Sequence, residues 1–161
     1  MSTKFTFKAF FPIVLLVAIT YLNVIFIPTI FNNDYYDDKL FPKIFLPSIL
    51  ISTMLFLFGE VRTKFIIFEL TKTEIVIKQF YGLRKIRIKK TDLEGWKYSH
   101  LTSKGGTYEY LYLYKDNEKI AKISEFYHQN YFKIKNTIQA EFKYLGYENF
   151  SMIDEFKELF K

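Results

Sequence analysis

Residue types able to do chemistry are sparse in this chain, and their spacing withholds most of what they could do. His100 and His128 are the only two histidines, far apart and without a metal-ligand spacing, so each reads as an ordinary surface or partly buried residue. The absence of cysteine removes disulfides, thiolate metal sites and thiol catalysis. Asp34, Asp37 and Asp38 could hold a divalent cation weakly, but such a run reads more simply as a solvated loop. Gly105-Gly106 lacks a following Lys-Ser/Thr pair and reads as a hairpin turn. No nucleophile, base and oxyanion donor can be assembled, so the chain reads as non-enzymatic, with no metal and no cofactor.

Two patterns remain. Tyr108, Tyr110, Tyr112 and Tyr114 share one strand face, which reads as an outer wall or a face beneath a covering helix, with a recognition surface as the alternative. Lys78, Arg84, Lys85, Arg87, Lys89 and Lys90 form the densest charge cluster, with no acid between Glu74 and Asp92. On a strand, Lys85, Arg87 and Lys89 point one way while Ile86 and Ile88 point the other. The simple reading is a soluble face whose lysines discourage edge pairing. The functional reading is lipid binding, because each basic side chain near an anionic bilayer contributes about 1 kcal/mol. A pI near 9.3 and interleaved aromatics permit nucleic acid, but a membrane-tethered domain carries a basic balance anyway, and no nucleic acid is expected.

The tether is the clearest feature of the chain. Ala9 to Phe31 runs without a charge and, at about 1.5 Å per residue, reaches about 35 Å, enough to cross a hydrocarbon core of about 30 Å. It is longer than a signal-peptide apolar region, and Pro28-Thr29-Ile30-Phe31 is no cleavage site, so it should be retained. A second run, Ile44 to Gly59, is about 24 Å long and is expected to recruit Leu40 and Phe41, with Pro47 in its first turns. Asn23 is the strongly polar side chain of the first span and lies at the depth of Ser48 in an antiparallel hairpin, so a bond between the two is expected to pack the helices. Two Lys flank the hairpin before it and four Lys or Arg follow it, against two in the Asp-rich loop, which puts both termini in the cytoplasm.

Beyond Glu60 the pattern becomes short alternating runs separated by turn chemistry. Strands are expected over Phe65 to Leu70, Glu74 to Phe80, Arg84 to Lys90, Gly95 to Leu101, Thr107 to Tyr114 and Lys119 to Ser124, with turns at Tyr81-Gly82 and Ser103 to Gly106. Tyr127, Tyr131, Ile134, Ile138, Phe142 and Leu145 recur at helical spacing, and Gly146 reads as the stop. A last short amphipathic helix starts at Ser151, with Asp154 completing a capping box and Met152, Phe156, Leu159 and Phe160 on one side.

In order and residues this resembles the bacterial PH-like domain. Phe68-Glu69-Leu70-Thr71-Lys72-Thr73-Glu74-Ile75 is similar to its opening strand-turn-strand, Tyr81 to Ile88 to its basic third strand, and Thr91-Asp92-Leu93-Glu94-Gly95-Trp96 to the segment that follows. The resemblance implies a small antiparallel PH-like β-barrel with a C-terminal helix, ordinarily of seven strands, acting in binding without catalytic residues. The expected plan is an α+β domain behind an α-helical membrane hairpin: a cytoplasmic N-terminus at 1–8, helices at 9–31 and 44–60 around an external loop at 32–43, the PH-like domain at 62–146 and an amphipathic helix at 147–161. The expected protein is a multi-pass module of the bacterial inner membrane that senses lipid or binds a membrane or cytosolic protein. The alternative is an accessory subunit of a larger complex, recognised through the hairpin. A Cys placed at Asp37 should react with an impermeant reagent outside intact cells while one at Lys104 should not; the reverse pattern overturns the orientation.

Overall fold

A computed structural model describes residues 1–79, 82–103 and 106–158. The chain enters through a single 3-10 turn, Phe7–Phe10, that leads into α1 (Phe11–Phe31). A short loop follows, and α2 (Leu40–Lys64) packs back along α1 as a hairpin. Both helices are long and apolar enough to cross a membrane, and only 11% of the most apolar window of either is buried by the rest of the protein. A core helix of a soluble domain would be covered; these present Val14, Val17, Tyr21 and Val24 outward.

The second helix takes in Leu40 and Phe41 at its start, as expected, and runs on past Gly59 through Arg62 and Lys64 at its end. Pro47 therefore lies inside the helix instead of in its first turns. The expected Asn23–Ser48 bond is not formed. Ser48 Oγ donates to Ile44 O at 2.7 Å on its own helix, whereas Asn23 Nδ2 donates to Ile19 O at 2.7 Å and reaches the backbone of the facing helix at Leu50 O, 3.4 Å away. A serine hydroxyl in an apolar helix finds its nearest acceptor one turn back, and so is already satisfied.

Among the described residues, seven strands follow, in two sheets. β1 (Ile66–Leu70), β2 (Glu74–Gln79) and β3 (Arg84–Lys89) form an antiparallel meander. β4 (Gly95–Ser103), β5 (Gly106–Lys115) and β6 (Glu118–Ser124) form the second, with β7 (Tyr144–Tyr147) beside β4 in the order β6-β5-β4-β7. Asp116 and Asn117 take the left-handed conformation in the β5–β6 turn, as a two-residue hairpin loop requires. Ile66, Phe68, Ile75, Ile77, Leu111, Leu113 and Ile123 of the two sheets share one core, closed on a further side by Tyr131, Ile134 and Ile138 of α3 (Tyr131–Glu141). The expected turns through Tyr81 and through Lys104-Gly105, and the end of the second strand at Phe80, lie outside the described residues.

The helix predicted to run from Tyr127 to Leu145 is shorter. Phe142 is already extended, and the chain continues as β7, parallel to β4. The seventh strand was thus hidden in the apolar stripe read as helix. Trp96 donates its backbone N–H to Lys143 O at 3.0 Å, and a Cβ at Gly95 would stand 2.2 Å from that same oxygen, so only glycine lets β7 approach. Gly146, with φ +116, sits at a register shift in the β4–β7 pairing and is not a helix stop. α4 (Met152–Glu158) starts as expected, with Asp154 N donating to Ser151 Oγ at 3.3 Å, while Leu159 and Phe160 lie outside the described residues.

The first six residues are not a loose basic flank. Residues 1–3 run along the outer edge of β1, where Thr3 N donates to Phe68 O at 2.9 Å, Leu70 N to Met1 O at 2.7 Å, and Phe68 N to Thr3 Oγ1 at 2.9 Å, while Thr6 N donates to Tyr127 O at 2.9 Å in the segment before α3. Asn130 ties the same segment to the start of α3 through Lys4 N and Ser2 O. Replacing Asn23 by Leu should leave insertion intact and loosen the hairpin by less than about 1 kcal/mol in an SDS unfolding titration, and Ser48→Ala should change nothing; a larger effect of Ser48→Ala would contradict the observed pairing.

Candidate functional site

β3 is an edge strand with strict alternation. Ile88 is buried and Ile86 half-buried against the core, while Arg84, Lys85, Arg87 and Lys89 are exposed. The outward face predicted for Lys85, Arg87 and Lys89 is therefore present. Across the β2–β3 ladder Lys85 stands opposite Lys78, Arg87 opposite Val76 and Lys89 opposite Glu74. Two cations of the cluster are neutralised: Lys78 by Glu69 at 2.6 Å and Lys90 by Glu141 at 2.5 Å. Among the described residues, Arg84, Lys85, Arg87 and Lys89 have no carboxylate within ion-pair distance, so the uncompensated charge is concentrated on β3.

Register fixes which end of this row lies near the hairpin. Ile66, two residues beyond α2, pairs with Gln79, which pairs with Arg84; Leu70 pairs with Ile75, which pairs with Ile88. Arg84 and Lys85 are thus at the hairpin end, and Lys89 is about 13 Å further along the strand from Lys85.

A junction absent from the sequence reading fixes the sheets to the hairpin. Tyr127, expected on the helix face, lies before α3 and is buried with Ala9 and Phe65, and Phe5 stacks on Phe65 with ring centroids 3.9 Å apart. Tyr127 Oη donates to Glu60 Oε1 at 2.7 Å, and Lys64 meets the same carboxylate at 2.8 Å. Burial, followed by the Glu60 charge, pushes the Tyr127 phenol well above its ordinary range, so it remains a donor. Acid and base four apart near a helix end were visible in sequence; their phenolic partner, sixty-seven residues away, was not.

The tyrosine stripe lies beneath covering elements. Tyr110 and Tyr112 are buried, Ser99 bonds to the Tyr112 hydroxyl at 2.7 Å, and Lys122 is 5% exposed with its ammonium 4.7 Å from the Tyr110 ring centre. Lys119 lies 4.0 Å over Tyr112 and pairs with Glu148 and with Glu158 of α4. On the opposite face of that sheet, buried Glu109 accepts from Tyr131 Oη and from Lys135 Nζ, each at 2.6 Å, with His100 Nε2 3.5 Å away. These are saturated ion pairs that fix strands and helix together. In the loop, Asp37 pairs with Lys43 at 2.7 Å.

His128, read as a surface or partly buried residue, is 1% exposed. Its Nδ1 lies 3.0 Å from Ser124 O and its Nε2 3.0 Å from Ile66 O, so the ring sits between β6 and the first residue of β1 and, when neutral, donates to one of the two carbonyls. Comparison with known proteins adds no relative: no family model, no curated protein and no solved structure matches the chain.

Burial holds the His128 imidazole below its ordinary pKa of 6.5, outweighing the two carbonyls that favour the charged form. The unfolded chain therefore takes up this proton first, and stability falls as pH drops below about 6.5. Unfolding of the detergent-solubilised chain, followed by fluorescence of its one tryptophan, Trp96, should shift to lower temperature between about pH 7 and about pH 5, and His128→Gln should flatten that dependence. An unchanged slope in the variant would place the proton uptake elsewhere.

Proposed function

We propose that this chain is a non-enzymatic membrane module in which a PH-like domain, held at the cytoplasmic base of a two-helix hairpin, reads anionic lipid headgroups through Lys85, Arg87 and Lys89. The observation that carries the reading is the row of uncompensated cations on an exposed edge strand, starting at the register level of the residue that leaves the second helix. Seven strands in two sheets with a helix packed on their common core support the PH-like resemblance. Pairing of residues 1–3 with β1 puts the N-terminus and the domain on one side of the hairpin, and the Lys and Arg excess on that side supports the cytoplasmic assignment.

The three cations are not equivalent. Surface potential decays over a Debye length of about 8 Å at physiological salt, so for a strand leaving the base along the bilayer normal Lys85 contributes close to the full 1 kcal/mol or so and Lys89 little. With the full chain in nanodiscs, amide exchange across 84–89 should slow when phosphatidylglycerol replaces part of the phosphatidylcholine, and this protection should vanish at high salt. Lys85→Gln should reduce it more than Lys89→Gln, and the triple Gln variant should abolish it while the core amides of β5 stay protected. Protection independent of lipid charge and salt would remove the lipid reading.

A further inference from the structure

We infer that α4 lies in the interface of the bilayer, its apolar side against the boundary between acyl chains and headgroups. Its position on α2 carries this. The Phe156 ring packs on Phe56 with centroids 5.3 Å apart, and the carbonyl of Glu158 accepts from Arg62 Nη2 at 3.0 Å. α4 therefore runs beside the stretch of α2 from Phe56 to Arg62, where Leu55-Phe56-Leu57-Phe58 gives way to Glu60, Arg62 and Lys64. In a helix that crosses a bilayer, that change of composition marks the hydrocarbon boundary.

The side chains of α4 are sorted accordingly. Glu158 turns to Lys119 at 2.6 Å, on the side of the sheet. Ile153 and Phe156 stay 68% and 50% exposed, and that apolar surface is continuous with the outward Leu55, Phe56 and Phe58 of α2. In water the exposed Ile and Phe gain nothing; against acyl chains they are buried, and the exposed Lys157 extends to the headgroups. Contact with lipid and coverage of the tyrosine face are thereby the same event, because the helix facing the bilayer also supplies Glu158 to Lys119 and approaches Lys122 at 3.8 Å. This contact is separate from the basic strand and rests on the hairpin lying in a membrane.

The test uses the full chain in proteoliposomes, with a fluorophore on single cysteines at Ile153, at Tyr21 midway along α1 and at Asp116 in the exposed β5–β6 turn, and lipids carrying a nitroxide near the headgroup or at the acyl terminus. The Tyr21 position should be quenched most by the deep nitroxide, the Ile153 position most by the shallow one, and the Asp116 position by aqueous iodide alone. If Tyr21 is quenched and Ile153 behaves like Asp116, the inference about α4 is overturned while the hairpin stands. If Tyr21 escapes both nitroxides, the hairpin is not in the bilayer and the inference falls with it.

Discussion

A two-helix hairpin returns the chain to the side from which it left, and the rest of this structure depends on that return. Because α1 and α2 pack along each other, the residues before the first and those after the second emerge side by side. The outer edge of β1 then meets the N-terminal segment, which satisfies its backbone groups from Met1 to Thr3. Each such bond nets about 1 kcal/mol, but a covered edge left unpaired would cost more. The sheets are therefore held to the hairpin by strand pairing as well as by the chain that links them.

The junction resolves a conflict between charge and burial. Glu60 and Lys64 sit where an apolar helix meets a packed domain, and Lys64 is only 8% exposed. An ionised side chain there is tolerable only when paired and hydrogen-bonded. Glu60 meets both conditions through Lys64 and the Tyr127 phenol, which belongs to the turn before α3. Glu109 meets them in the same way through Lys135 and Tyr131. Both clusters join elements distant in sequence.

The second sheet is buried on both sides by different chemistry. Leu111, Leu113 and Ile123 face the apolar core, whereas Tyr110, Tyr112 and Lys122 form a polar aromatic layer beneath the end of α2 and the C-terminal segment. Tyrosine suits that layer because its ring accepts an ammonium above it while its hydroxyl finds a buried partner, as Tyr112 does with Ser99. An alternation that looks like one wet and one dry face is in fact two dry faces of unlike polarity.

What the sequence by itself determined were the features set by local periodicity: two apolar helices, six strands at nearly their observed bounds, the inward isoleucines and outward cations of β3, and the capped start of α4. These are properties of a segment and the medium on each side of it, so hydrophobic pattern and turn chemistry suffice. Tertiary structure alone decided the pairings. The stripe through Phe142 and Leu145 fits a helix by spacing, yet the edge of β4 offered backbone partners and Gly95 left room for them, so the segment became β7. Asn23 found the carbonyl of Leu50 because Ser48 was already satisfied within its own helix. Residues 1–3 joined the edge of β1, and Tyr127 reached Glu60, only because the hairpin brought distant segments together. Hydrogen-bond partners of that kind are chosen by proximity after folding, and no pattern along a single segment records the choice.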